Sequence, residues 1–318
     1  VILRPSVLCP IDFSGSSRGA LRYAGTIAAH FGARLTLLAV NDPLLEQADE
    51  LSGLGHLAED TSRDLDYFFR QAFPERPSGV PEVLMEITTG KAAREILRVS
   101  HEKGCDLIVM SSHGLTGFRK VVFGSTTERV LRETTVPVLV TPGGDAGPDS
   151  LEDVPRLVRR VLAPVDLTTA TAHQLQIARG LAEALGIPIV LLHVVEPRML
   201  SSAQPRLSTV DAERPNRAEE ELERVVKEMP PSVKPETRVA FGEAAEEIAK
   251  VAGDRDAGLI VMGLHSSPLL GPRMGSVTYR VLCLAQRLVL AIPPLPAAAQ
   301  TIGSVGDHAL CSQIGPRA

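Results

Sequence analysis

The run from Met110 to Leu131, MSSHGLTGFRKVVFGSTTERVL, sets small and hydroxyl-bearing residues where a phosphate could be held. Gly114 and Gly117 permit positive φ and a close approach of backbone to ligand. Gly124 opens a helical pattern. Ser125, Thr126 and Thr127 then offer hydroxyls and free backbone N–H groups at the positive end of that helix. Arg119 and Lys120 lie in the same loop. Far upstream, Pro10-Ile11-Asp12 closes an apolar run, and the Asp12 carboxylate can accept hydrogen bonds from a ribose hydroxyl or a base amine. The chemistry available is anion binding at a helix start, beside an acceptor for a sugar or a base.

Each feature also has a plainer reading. Gly-Ser-Thr before an apolar helix is an ordinary N-cap, and Asp12 before Ser-Gly-Ser-Ser is a capping carboxylate. Arg119 and Lys120 read equally well as solvated charges, and His113 as a loop histidine without a ligand.

The elements that must position these residues alternate between short apolar runs and helical patterns. Strands are predicted near Val7–Ile11, Leu35–Val40, Val83–Ile87, Leu107–Met110 and Pro137–Thr141. Helices are predicted near Ser16–Phe31, His56–Ala72, Ala92–Lys103 and Ser125–Glu133. Such alternation gives a parallel sheet with right-handed crossovers, here an α/β, doubly wound domain of five strands. Ligands bind such sheets at the carboxyl ends of the strands, where strand order reverses. In the order 3-2-1-4-5, strands 1 and 4 flank that point. Asp12 and Ser111 therefore converge.

The chain is written twice. VLCPIDFS at Val7 matches VLAPVDLT at Val161, and LTLLAVNDP at Leu35 matches IVLLHVVEP at Ile189. GKAAREIL at Gly90 matches GEAAEEIA at Gly242, and FGSTTERVL at Phe123 matches MGSVTYRVL at Met274. The offset stays between 151 and 154 residues, far too long for a solenoid. Two tandem domains follow, over 1–143 and 158–296. A Gly-, Pro- and Asp-rich linker over 144–157 is expected to be exposed, and a tail over 297–318 without periodicity is expected to be disordered.

Composition narrows the function classes. Net charge is −5 and aromatic residues make up 3% with no Trp, so neither a basic footprint nor a stacking platform argues for nucleic acid. No apolar run reaches membrane-spanning length. The four cysteines are scattered, without metal-ligand spacing, and read as reduced thiols of a cytoplasmic protein. No basic region or cleavage signal precedes the first strand, and the initial Val1 fits a processed or trimmed start.

The run Ser111-x2-Gly114-x9-Gly124-Ser125 resembles the G-x2-G-x9-G-[ST] motif of the nucleotide-binding universal stress proteins, with Ser111 in place of the first glycine. The resemblance covers nearly the whole chain outside the linker and the tail, and its tandem arrangement resembles the two-domain form of that family. It implies a stress-response role and a bound adenine nucleotide: ATP first, with AMP or ADP as alternatives, and a divalent cation such as Mg or Mn. Carried over by position, Pro10, Ile11, Asp12 and the backbone near Val40 would hold adenosine. Met110, Ser111, His113, Gly114 and Gly117 would line the ribose and α-phosphate, and Gly124, Ser125, Thr126 and Thr127 the distal phosphates. The side chain of Ser111 is expected to weaken binding without abolishing it.

In the second half, Asp166 and Val194 match the adenosine positions, Gly263 restores the first glycine, and Gly275-Ser276 keeps the helix entry. Ser266 replaces the middle glycine, and Pro268 and Pro272 remove two N–H donors from a shorter loop. This ranks the first half ahead as binder.

The expected function is nucleotide-responsive binding. There is no G-x4-G-K-[ST] P-loop and no evident water-positioning carboxylate, so ATP hydrolysis is expected to be weak at most. Two alternatives stay open. One is a nucleotide-free tandem scaffold whose fifth strands, Pro137–Thr141 and Leu288–Ile292, pair internally, with a homodimer as a further step. The other is a nucleotidyl transferase, for which Ser14–Ser17 bears a faint serine-glycine resemblance.

Overall fold

The structure is a computed structural model that describes residues 4–53, 55–74, 82–113, 123–167, 171–196, 209–227, 235–264 and 274–294. The first half runs β1 (Ser6–Ile11), α1 (Gly15–Phe31), β2 (Arg34–Asn41), α2 (Pro43–Ser52), α3 (Leu57–Ala72), β3 (Glu82–Thr89), α4 (Ala92–Glu102), β4 (Leu107–Ser111), α5 (Ser125–Glu133) and β5 (Val138–Thr141). After a 3-10 turn at Leu151–Asp153 come α6 (Val154–Val158), β6 (Val161–Pro164), α7 (Thr171–Leu185), β7 (Ile189–Val195) and α8 (Thr209–Lys227). β8 (Glu236–Phe241), α9 (Ala244–Asp254), β9 (Leu259–Gly263), α10 (Ser276–Leu284) and β10 (Leu288–Ile292) complete the second half.

The strands form one ten-stranded sheet in the order β3-β2-β1-β4-β5-β10-β9-β6-β7-β8. Each half is parallel in the predicted order. The halves join where β5 and β10 pair antiparallel, with Leu139 opposite Leu290. The join removes two edges that would otherwise expose unpaired backbone groups.

Alternation along the strands sends Val7, Cys9 and Ile11 to one face and Leu8 to the other. The first face carries α1, α3, α6, α7 and α8; the second carries α4, α5, α9 and α10. Both faces are covered, so the inner strands are mainly apolar, as buried parallel strands must be, whereas the outermost strands β3 and β8 are only partly buried and carry Glu82, Glu86, Glu236 and Arg238.

α2 was not foreseen, because none of its residues is buried and its leucines supply no core-facing period. It forms because Asp42 caps it, accepting the Leu44 N–H at 2.9 Å, with Pro43 in its first turn and Gly53 at φ 71° closing it.

The connection over 144–157 is largely exposed and also packs on α1. A Cβ on Gly19 of α1 would meet Gly144 O at 2.5 Å and Ala146 O at 3.0 Å, so the connection lies directly on the helix backbone. Arg18 pairs with Asp145 at 2.9 Å, and Arg22 pairs with Asp149. The tail over 297–318 lies outside the described residues.

Candidate functional site

The adjacent exits of β1 and β4 form the expected switch point. One residue past Asp12, Phe13 adopts a left-handed φ of 63°. For a residue with a Cβ, that conformation costs on the order of 1–3 kcal/mol. The turn lets Ser14 cap α1, accepting the Ser17 N–H at 3.1 Å, while the Ser14 hydroxyl donates to Asp12 Oδ1 at 2.6 Å. Ser14–Ser17 is therefore the start of a helix. The second half repeats the device: Leu167 has φ 59°, and the Thr171 hydroxyl donates to Asp166 Oδ1 at 2.6 Å. In both halves a strained residue and a helix hydroxyl hold an aspartate at the carboxyl edge of the sheet.

The entry to the last helix of each half is also duplicated. Gly124 N–H donates to Ser112 O at 2.9 Å, and Gly275 N–H to Leu264 O at 2.8 Å. The Thr127 hydroxyl donates to Ser111 O at 2.9 Å, and the Thr278 hydroxyl to Gly263 O at 2.9 Å. Thr127 is buried and committed to this clamp, so its hydroxyl serves the fold and is not presented to a phosphate. Ser125 and Thr126 precede it on the first turn of α5.

The Ser111 hydroxyl donates to His113 O at 2.7 Å, which turns it into its own loop. His113 Nδ1 lies 2.8 Å from the Ser112 hydroxyl. Gly114, Gly117, Arg119 and Lys120 lie outside the described residues, as do Ser266, Pro268 and Pro272.

The residues proposed from sequence are gathered unevenly. In the second half, Asp166, Val194, Gly263, Gly275 and Ser276 all line one cavity of about 420 Å³. That is within the size range of small-molecule sites, about 300–1,000 Å³. In the first half, Val40, Ser125 and Thr126 line a cavity of about 910 Å³ with Asp42, Lys91 and Arg129. Among the described residues, Pro10, Ile11, Asp12, Met110, Ser111, His113 and Gly124 are not on its wall.

Among the residues of the second cavity missed from sequence are Thr171, Gln174 and His193. Gln174 Nε2 donates to Pro164 O at 2.6 Å and to Val261 O at 2.9 Å, while Gly263 N–H donates to Gln174 Oε1 at 3.2 Å. The carboxamide thus ties β6 to β9 where the two strands diverge. His193 Nδ1 lies 2.9 Å from Val165 O. A carbonyl only accepts, so Nδ1 carries the proton. The available signal was a polar residue on an otherwise apolar face, Gln174 beside Leu175, Ile177 and Ala178, and His193 in the strand IVLLHVV.

The universal stress protein family model matches residues 4–142 and again 158–293. A universal stress protein of Mycolicibacterium smegmatis is 26% identical over 297 residues, covering 91% of this chain and 97% of its own length. Universal stress protein MJ0577 of Methanocaldococcus jannaschii is 25% identical over 154 residues, 44% of this chain and 95% of its own. The crystal structure of a universal stress protein from Archaeoglobus fulgidus superposes with a TM-score of 0.61 at 19% identity, over 91% of this chain and 96% of that one, which shows the shared fold. One model fits both halves and together they span most of the sequence, so the chain belongs to the universal stress protein family.

Proposed function

We propose that this protein binds an adenine nucleotide, ATP in the first instance, at the carboxyl edge of its sheet, and acts as a nucleotide-responsive binding module in a stress response. The observation that carries this reading is the cavity of the second half, on which Asp166, Val194, Gly263, Gly275 and Ser276 converge. Asp166 supplies an acceptor for the ribose, and Val194 supplies backbone groups at the end of β7 for the base. Gly263 and Gly275 let backbone approach the phosphates, which meet the free N–H groups that open α10.

The two halves rank differently once geometry is considered. The sequence favours the first half for its intact glycine spacing. Among the described residues, the second half has the more complete pocket, and we assign it the principal site. The first half is a second place for nucleotide, since the Ser111 hydroxyl is turned away into its own loop.

A divalent cation fits this scheme only in company with the nucleotide. Among the described residues no group of three or more His, Cys, Asp or Glu side chains is gathered to hold a metal. Mg commonly reaches such sites through phosphates with few protein ligands.

The test is a thermal shift with Mg-ATP on wild type and on Gly275→Val. A ligand at one hundred times its Kd stabilises by about 2.7 kcal/mol, a shift of several degrees for domains of this size. Wild type should shift and the variant should shift less. Equal shifts in both would remove the second half as the principal site.

A further inference from the structure

We infer a second, separate ligand site at the seam between the halves, shaped for a small amphipathic carboxylate. It lies on the α1/α7 face of the sheet, directly over the antiparallel pair β5–β10, and does not depend on the nucleotide reading.

The topology creates the space. On this face α1 packs over β1 and β4, and α7 over β6 and β9. The two helix axes are therefore about four strand spacings apart, roughly 19 Å at about 4.8 Å per strand. Two helices fill only about 10 Å of that distance. The two seam strands are left with short α6 as cover, through Val154 and Val158. On the opposite face the seam is closed, because Phe123 and Tyr279 meet edge to face at 6.0 Å across it.

A cavity of about 280 Å³ fills the gap. Its floor is the apolar side of the seam, with Leu139, Leu288, Leu290 and Ile292, and its walls include Ile27 and Ile177. An apolar chamber of this kind is poorly suited to water.

The polar groups indicate the headgroup. Arg179 of α7 lines the cavity, and its Nε is buried without a hydrogen-bond partner. A buried donor left unpaired is unfavourable, so an acceptor brought in by a ligand recovers a hydrogen bond there. A carboxylate matches the planar guanidinium best. Tyr23, His30, Asp106 and Glu183 also line the cavity. Asp106 Oδ2 already accepts the Ser6 N–H at 2.9 Å, and burial pushes the Tyr23 phenol up, as an apolar setting should. Asp106 and Glu183 at its edge repel any anion, and a multiply charged phosphate more strongly than a single carboxylate paired with Arg179, which separates the cavity from the nucleotide sites. The occupant is a monoanion with a short apolar tail, such as a medium-chain fatty acid.

The experiment is calorimetric titration of the full chain with decanoate, decanol and decylamine. Two variants accompany it: Arg179→Gln, and Ala184→Trp, which plugs the cavity from an exposed helix position. Melting curves of both variants check the fold. Decanoate should bind saturably, at least tenfold more tightly than decanol or decylamine. Arg179→Gln should erase that preference, and Ala184→Trp should weaken binding at least tenfold. Absence of binding at millimolar decanoate in wild type would overturn the site. Undiminished binding in a folded Ala184→Trp would also overturn it, and equal affinity for decanoate and decanol would overturn the carboxylate assignment.

Discussion

The backbone N–H of Gly263 donates to the side-chain oxygen of Gln174 at 3.2 Å, joining the exit of β9 to the first turns of α7. The same carboxamide donates to Pro164 O and Val261 O, so all of its main hydrogen-bonding capacity is used inside the protein. Gln174→Leu keeps the volume but strips three backbone groups of their partner. We predict a loss of about 3 kcal/mol, seen as a lower urea midpoint with an unchanged slope. Gln174→Glu should fare no better, because an ionised carboxylate cannot donate to two carbonyls.

Much of the architecture was legible because strands buried on both faces are apolar throughout, and because the second half repeats the first. The aspartates at 12 and 166 and the Gly-Ser helix entries stood out for the same reason: they recur at equivalent strand exits. Gln174 did not, since its first-half counterpart is Ala20 and the repeat gave no hint of it. The clamp made by Thr127 was not legible, because a hydroxyl near a helix start can face a ligand or bond a strand, and the 2.9 Å bond to Ser111 O is a contact distant in sequence. α2 escaped notice because its order comes from caps, with no buried face to set a period.

The connection between the halves is held more by close backbone contact than by charge. The pairs Arg18–Asp145 and Arg22–Asp149 are substantially exposed, with Asp149 at 82%. Each should contribute at most about 1 kcal/mol. Asp145→Asn and Asp149→Asn should therefore barely move the melting temperature, and added salt should reduce even that effect. Gly19→Val places a side chain against Gly144 O and should cost about 2 kcal/mol or more.

At the seam, Leu139 is buried opposite Leu290. Leu139→Asp buries a carboxylate between two halves and should cost about 3 kcal/mol or more in a urea melt. Leu44→Asp on α2, where the side chain is 73% exposed, should stay within about 0.5 kcal/mol. Equal effects at the two positions would contradict the seam as part of the core.

Burial raises the thiols of Cys9, Cys105 and Cys283 above the ordinary range. A raised pKa lowers the thiolate fraction at pH 8, so alkylation should be slower than for a free thiol and should speed up with pH. Peptide mapping after iodoacetamide treatment should find Cys283, which is only partly buried, labelled before Cys105 and Cys9. Cys9, fully enclosed, should react only when the protein is unfolded.

Gly124 and Gly275 separate packing from ligand contact. A Cβ on Gly124 would sit 3.1 Å from Ser112 O, tight against backbone, whereas one on Gly275 would sit 3.6 Å from Leu264 O, an ordinary contact. Gly124→Ala should lower the melting temperature by a few degrees, and Gly275→Ala should leave it nearly unchanged.

Calorimetric titration of nucleotide-free protein with Mg-ATP, run on wild type and Gly275→Val, decides whether the second half holds nucleotide. Wild type should give saturable heat with at least one ATP per chain, and a variant that remains folded should lose one site. No heat and no thermal shift at millimolar ATP, or a stoichiometry untouched by Gly275→Val, would contradict this reading.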